Sequence, residues 1–218
     1  MADCEDLAEA PNVTLYPYGV NRGLARSWNE GLVNAFAEGA DVVIVANDDI
    51  AFGEEDLDTL AADALGHPEF GLIWCGGFDF DATTPVESFG FSCLAVNPVA
   101  FQTIGCLDEN FFPAYCEDQD YVSRARFAGL PERTCTGTRI RHLRGAAVRS
   151  SLALSRQSDL TLTRNHGYYL RKWGGGHGEE RFRVPFDDPD FDQRIDPEAR
   201  HAPYGPKYDR TDHEIVQV

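Results

Sequence analysis

The chain has 218 residues, 43% hydrophobic and 11% aromatic, enough for one substantial core and short for two. Its 36 acidic and 19 basic residues give a formal charge of -17, which argues against nucleic acid or an anionic membrane surface as a primary partner, because the average surface repels both. No stretch approaches the apolar length of a membrane span, and the opening M-A-D-C-E-D lacks the basic and apolar regions of a signal peptide, so a cytoplasmic location is expected.

After the acidic start, Asn12 to Tyr18 alternates enough to predict a short strand stopped at Pro17. Asn21, Arg22 and Gly23 read as a tight turn. From Leu24 to Glu38, apolar Leu24, Trp28, Leu32, Ala35 and Phe36 recur at three- and four-residue steps, which predicts an amphipathic helix closed by Gly39. Asn29 and Gly31 are poor helix formers inside it, so something other than helix stability is expected to hold them there. Val42 to Ala46 is a β-branched apolar run expected to be a strand buried on both faces, ending abruptly in Asn47, Asp48 and Asp49. In open α/β sheets ligands bind beyond the carboxyl ends of the strands, so two acids placed there are well sited to hold a divalent cation and a polar ligand. An acidic turn is the plainer reading of the same residues.

Further on, the pattern predicts a helix over Glu54–Leu65, a buried strand over Phe70–Cys75, a polar loop over Gly76–Glu87, a third strand over Phe89–Val96 and a short helix begun by Asn97 and Pro98. This order points to an α/β fold with a largely parallel sheet. Within Gly105–Arg126 a helix is expected from Glu117 to Gly129. Glu117, Asp118 and Asp120 crowd its first turn, where the helix dipole favours charged carboxylates, and Asp120 can pair with Arg124 four residues on. Capping accounts well for one such acid and poorly for three. A last strand over Thr138–Leu143 carries His142, which reads as either a packed core residue or a ligand. Ser150 and Ser151 can cap a helix through Leu160 to Tyr169, followed by Arg171, Lys172, Trp173 and a glycine run. From Glu179 the composition turns to Pro, Asp, Arg and aromatics without periodicity, predicting an extended C-terminal tail. Cys4, Cys75, Cys93, Cys106, Cys116 and Cys135 form no C-x-x-C pair and read as reduced, mostly buried thiols.

Several ordered motifs together resemble glycosyltransferase family 2, the inverting, nucleotide-sugar-dependent enzymes of the Rossmann-like GT-A fold. They are N-R-G-L-A with N-E-G at 21 to 31, N-D-D-I at 47 to 50, G-x-L-D-E-x-F-F and E-D-Q-D-Y-x-x-R at 105 to 124, His142, and Y-Y-L-R-K-W-G-G at 168 to 175. The resemblance covers roughly residues 12 to 176. It implies a single GT-A-like domain over 1–178 with an irregular extension over 179–218. Family members usually begin with a strand, a helix and a second strand that hold the nucleotide, and this chain is expected to lack most of them, making it an N-terminally shortened form.

Carried over by position, the resemblance implies that Asp49 and His142 bind Mn²⁺ or Mg²⁺, that Asp118 is the catalytic base, and that Glu117 orients acceptor or base. Substrate contacts are expected from Asp48, Asn47, Arg22, Asn29, Arg124 and Trp173, with Arg124 alternatively a structural partner of Asp120. The expected reaction moves a hexose or deoxyhexose, rhamnose among the candidates, from a nucleotide-sugar donor to a glycan or small-molecule acceptor. A catalytically silent homologue serving as a glycan-binding or partner subunit is the alternative reading, and a metal-dependent hydrolase a third. A cation at the diphosphate would reconcile an anionic donor with an acidic protein, and a lone carboxylate base fits transfer better than hydrolysis.

Overall fold

The computed structural model describes residues 12–79, 85–86, 92–142 and 152–191. Helix α1 (Leu24–Ala37) leads to β1 (Val43–Ala46), the two-residue β2 (Ile50–Ala51) and α2 (Asp56–Gly66). Strands β3 (Leu72–Asp79), β4 (Pro85–Val86) and β5 (Cys93–Val96) follow, then helices α3 (Pro98–Ile104) and α4 (Glu117–Phe127). Strand β6 (Glu132–His142) and the long helix α5 (Leu152–Trp173) follow among the described residues, with a 3-10 turn at Pro185–Asp187. The sheet runs β1-β5-β3-β6-β2, with β4 beside β3.

The two-residue period of the strands sets the layers. Val45, Leu72, Trp74, Leu94 and Val96 point to one side, where Ala25 and Leu32 of α1, Ala100 and Ile104 of α3, and Tyr121 and Ala125 of α4 cover them. Their neighbours Ile73, Cys75, Cys93 and Ala95 point the other way, onto Leu60 and Ala64 of α2. A third cluster, Phe111, Cys116, Tyr168, Tyr169 and Trp173, seats α5 against the loop that precedes α4.

Three expectations are corrected here. The sheet is mixed: β3 and β6 pair in parallel, whereas β5 runs antiparallel to both β1 and β3, and β2 antiparallel to β6. Apolar runs reveal burial but carry no direction, so the reversed strand was not legible. Among the described residues β1 lies at the end of the sheet path with only Val45 buried, rather than deep within it. The Asn12–Tyr18 stretch forms no strand: Val13, Leu15 and Tyr16 are exposed. Parts of the predicted polar loop and third strand (80–84 and 87–91), the Ser150–Ser151 cap, Cys4 and the tail from 192 on lie outside the described residues.

Strand β6 is longer than its pattern predicts. It starts at Glu132, and its register against β3 jumps from Cys75 opposite Cys135 to Gly77 opposite Ile140. The surplus residues of β6 are clasped from two sides. Thr138 Oγ1 donates to Gly76 O (2.8 Å), and the Arg139 backbone N–H donates to Asp56 Oδ1 of α2 (2.7 Å).

Four charged side chains are sealed between α4, α5 and the loop that precedes α4: Asp108, Asp120, Arg124 and Lys172 are at most 1% exposed. Lys172 Nζ bridges Asp108 Oδ2 and Asp120 Oδ1, each at 2.8 Å. Asp120 also accepts from Trp173 Nε1 (2.9 Å) and from Arg124 Nε (3.0 Å), while the rest of the Arg124 fork donates to Ile104 O and Cys106 O. Burial alone would raise the Asp108 carboxyl, but the charge and hydrogen bond of Lys172 and the N–H groups of Asn110 outweigh it and hold it below the usual range.

The chain after α5 is irregular, as its composition predicts, yet through Phe191 it is tied down. Gly174 turns at φ +69 in a space where a Cβ would meet the Phe182 ring at 2.7 Å, and Trp173 O accepts from the N–H groups of both Arg181 and Phe182. Phe186 packs edge-on to Tyr168 at 6.0 Å.

Removing one partner of a buried ion network strands the others, so Asp120→Ala is expected to cost about 3–5 kcal/mol, read as a lowered urea midpoint. A loss no larger than that of an exposed Asp→Ala control would refute the network's weight.

Candidate functional site

Two groups of sequence-predicted residues assemble, on different elements. The first lies where β1 ends. Asn47 is held by its N–H to Ser92 O (2.9 Å), Asp48 is exposed, and Asp49 sits just ahead of β2. Because Ile50 is registered against His142 in the β2–β6 pair, the imidazole at the end of β6 is carried to Asp49: His142 Nε2 and Asp49 Oδ1 are 3.1 Å apart, with side chains only 11% and 18% exposed. Two donors at right angles on a small divalent ion, each about 2.1 Å from it, sit about 3 Å apart, so this spacing suits adjacent ligands of one cation. Among the described residues no group of three or more His, Cys, Asp or Glu side chains gathers to complete such a site.

The second group stands at the start of α4. Tyr115 and Cys116 both take left-handed φ values (81 and 70), uncommon for non-glycine residues and costly unless the surroundings impose them. The surroundings do: Asn165 Nδ2 of α5 donates to Ala114 O (2.7 Å) and Tyr115 O (2.9 Å). The twist delivers Glu117 and Asp118 as the first residues of the helix. Glu117 is 5% exposed, and its Oε2 is buried with no hydrogen-bond partner. Burial first, then the adjacent Asp118 and Asp120 charges, push the Glu117 carboxyl up to about 8, so it is mostly neutral at pH 7. Asp118 is half-buried, with Oδ1 accepting the Gln119 N–H at 2.7 Å. Burial raises its carboxyl above the ordinary range, opposed by that N–H and by the charge of His177. A carboxylate so raised is a stronger proton acceptor than one in water.

The remaining predicted contacts are structural in their geometry. Asn29 is fully buried, pairing both ways with the Leu107 backbone: Nδ2 donates to its carbonyl (2.9 Å) and Oδ1 accepts from its N–H (2.8 Å). This accounts for an asparagine inside α1; Gly31 faces open space, and nothing in the structure explains it. Arg22 pairs with Glu30 at 2.7 Å and stacks over Tyr18. Arg124 and Trp173 are fully buried in the charge network and neither side chain reaches solvent, which corrects the expected role of Trp173 as a substrate contact, while Arg124 takes the alternative expected of it, partner of Asp120. Gly23, at φ +82, fits where a Cβ would lie 2.9 Å from the Phe112 ring, and the Leu24 N–H donates to Pro113 O, so the N-R-G turn is docked on the loop leading into α4.

Sequence reasoning missed the layer behind Asp118. Glu180 Oε1 accepts from Tyr169 Oη (2.6 Å) and Ser123 Oγ (2.7 Å), while Oε2 accepts from Arg126 Nη2 (2.6 Å), and Glu180 is held down at about 2 despite the cost of burial. His177 Nδ1 lies 3.5 Å from the same carboxylate. A histidine and an acid three apart after a glycine run were the available signal. A cleft of about 310 Å³ lies elsewhere, bounded by Asp56, Thr59 and Arg139 and by none of the predicted residues.

No protein-family model matches the chain, and no curated protein is significantly similar to it.

The raised Glu117 carboxyl has a signed consequence. From about pH 4.5 to about 8 the folded state holds a proton the unfolded chain has released, so this group's contribution to stability falls as pH rises through that window. Glu117→Gln, which cannot ionise, is expected to flatten the decline of the urea midpoint across the window. An unchanged profile would mean the carboxyl is ordinarily charged.

Proposed function

We propose that the chain is an inverting, metal-assisted glycosyltransferase of GT-A type, transferring a sugar from a nucleoside-diphosphate donor to a hydroxyl of a glycan or small molecule. The observation that carries this reading is the meeting of Asp49 and His142 at 3.1 Å, two residues far apart in sequence joined by the β2–β6 pairing beside the end of β1. The twisted entry to α4, which presents a half-buried carboxylate of raised basicity, supports it.

Asp49 and His142 would hold Mn²⁺ or Mg²⁺, whose chemistry is to neutralise charge on the departing diphosphate, with phosphate oxygens and water completing its coordination. Asp118 takes the proton of the attacking hydroxyl, and direct displacement inverts the anomeric centre. Glu117, neutral beside it, leaves Asp118 as the only anion of the pair. Glu180, fixed by Tyr169, Ser123 and Arg126, holds His177 where its charge counters the effect of burial on Asp118. Asp48 and Asn47, at the mouth of β1, face the donor, and Arg22 lines the turn docked on the acceptor-side loop.

Release of nucleoside diphosphate from a panel of sugar nucleotides with Mn²⁺ and acceptor tests the reading. Asp118→Asn is expected to lower turnover by about 10² to 10⁴-fold, the usual contribution of a general base. Asp49→Ala and His142→Ala are expected to raise the Mn²⁺ concentration required. His177→Ala is expected to move the acidic limb of the rate profile to higher pH, because it removes a charge that keeps Asp118 ionised. Activity unchanged in Asp49→Ala or Asp118→Asn sinks the assignment, and calorimetry showing no metal-dependent donor binding would favour the silent binding subunit.

A further inference from the structure

The sheet face beneath α2 carries three cysteines abreast. Cys75 on β3 stands opposite Cys135 on β6, and on its other side the pairing of Ile73 with Ala95 and Trp74 with Leu94 brings Cys93 of β5 opposite Cys75. All three belong to one core cluster, at 0%, 0% and 3% exposure for Cys75, Cys93 and Cys135, and none is in a disulfide. Directly opposed residues on antiparallel strands have Cα atoms about 4.5–5.5 Å apart, inside the range a disulfide spans, and these two point to the same face. A small apolar side chain would fill the space equally well, so packing alone does not call for thiols side by side.

We propose that Cys75 and Cys93 form a reversible disulfide between β3 and β5 on exposure to a small neutral oxidant of the peroxide class, with Cys135 the next thiol in line for exchange. The cysteines are enclosed, and the cleft of about 310 Å³ is lined by Thr59 of α2 and Gly137 of β6, next in sequence to Leu60, which packs in the same cluster as the three thiols, and to Thr138; it is the route assigned to the oxidant. Glu54 and Glu55 line the same cleft, so an uncharged peroxide is favoured over an anionic disulfide such as that of glutathione. Cys75 stands between Cys93 and Cys135, and a hydrogen bond from the Cys93 thiol favours its thiolate against the cost of burial, which makes Cys75 the nucleophile. Its sulfur attacks the peroxide, breaking the O–O bond to give a sulfenic acid and one water; the Cys93 sulfur then displaces the second water. Two thiols lose two electrons and two protons in all, and the peroxide takes them up. The bond would pin β3 to β5 immediately before the register jump, ahead of the stretch that pairs with Ile140–His142.

The test treats the folded full chain with hydrogen peroxide, blocks the remaining thiols under denaturing conditions, and maps peptides without reductant. The expected result is a linked Cys75–Cys93 peptide, loss of two of the six thiols, and recovery with dithiothreitol, all at lower doses than oxidised glutathione needs. In Cys93→Ser, Cys75 is expected to be caught by dimedone as the sulfenic acid or to link to Cys135. Retention of all six thiols at peroxide doses that oxidise free cysteine, or linked peptides that omit Cys75, overturns the proposal. Should Cys93→Ser not fold, the wild-type peptide map decides alone.

Discussion

The arrangement depends most on a set of ions hidden from water. Burying a carboxylate or an ammonium costs several kcal/mol even after relaxation, and this protein buries two acids and two bases within one layer. The cost is offset only because each charged atom is used: Lys172 spans both acids, Asp120 receives an indole and a guanidinium as well, and Arg124 spends its remaining donors on carbonyls of the 104–106 turn. The network has one satisfactory geometry, so it fixes the approach of α5 to α4 more tightly than apolar packing alone would. Apolar contacts from Phe111, Tyr168 and Trp173 then close around it.

From that rigid base the chemistry of Glu117 and Asp118 follows. The helix that anchors Asp120 and Arg124 in its interior begins with the two acids, and Asn165 on the opposing helix forces the backbone turn that precedes them. Adjacent carboxyl groups near one another and away from water cannot both ionise cheaply, and the more buried one retains its proton. The two carboxyls thus differ by depth: Glu117, at 5% exposure, is pushed up to about 8, while half-buried Asp118 is raised by the same cause with the Gln119 N–H and the His177 charge opposing it.

Much of the architecture was legible because its signals are local. The spacing of Leu24, Trp28, Leu32 and Phe36 marked α1 within a residue or so, the Asn97–Pro98 start marked α3, and the Asp120–Arg124 step marked a pair that indeed forms. What stayed hidden is long-range. Strand direction leaves no trace in an apolar run, so the antiparallel β5 read like its neighbours. Asn29 and Trp173 looked like polar or aromatic groups ready for a ligand, and only the fold shows Trp173 donating to the Asp120 that Arg124 also binds, and Asn29 bound to the Leu107 backbone. Glu180 lay in a segment without periodicity and His177 just ahead of it, after the glycine run, where composition says little about which side chains turn inward.

The jump in pairing between β3 and β6 explains why the first part of β6 escaped notice, and it has a geometric corollary. Side chains alternate along a strand, so an odd number of surplus residues exchanges its two sides: Ile140 joins Cys135 in one cluster although five positions separate them. His142 inherits that exchanged phase. Which way its imidazole faces is therefore set by the pairing of Ile140–His142 with Gly77–Asp79 rather than by unbroken alternation from Cys135, and a slip of one residue in that pairing would turn the ring to the far side of the sheet.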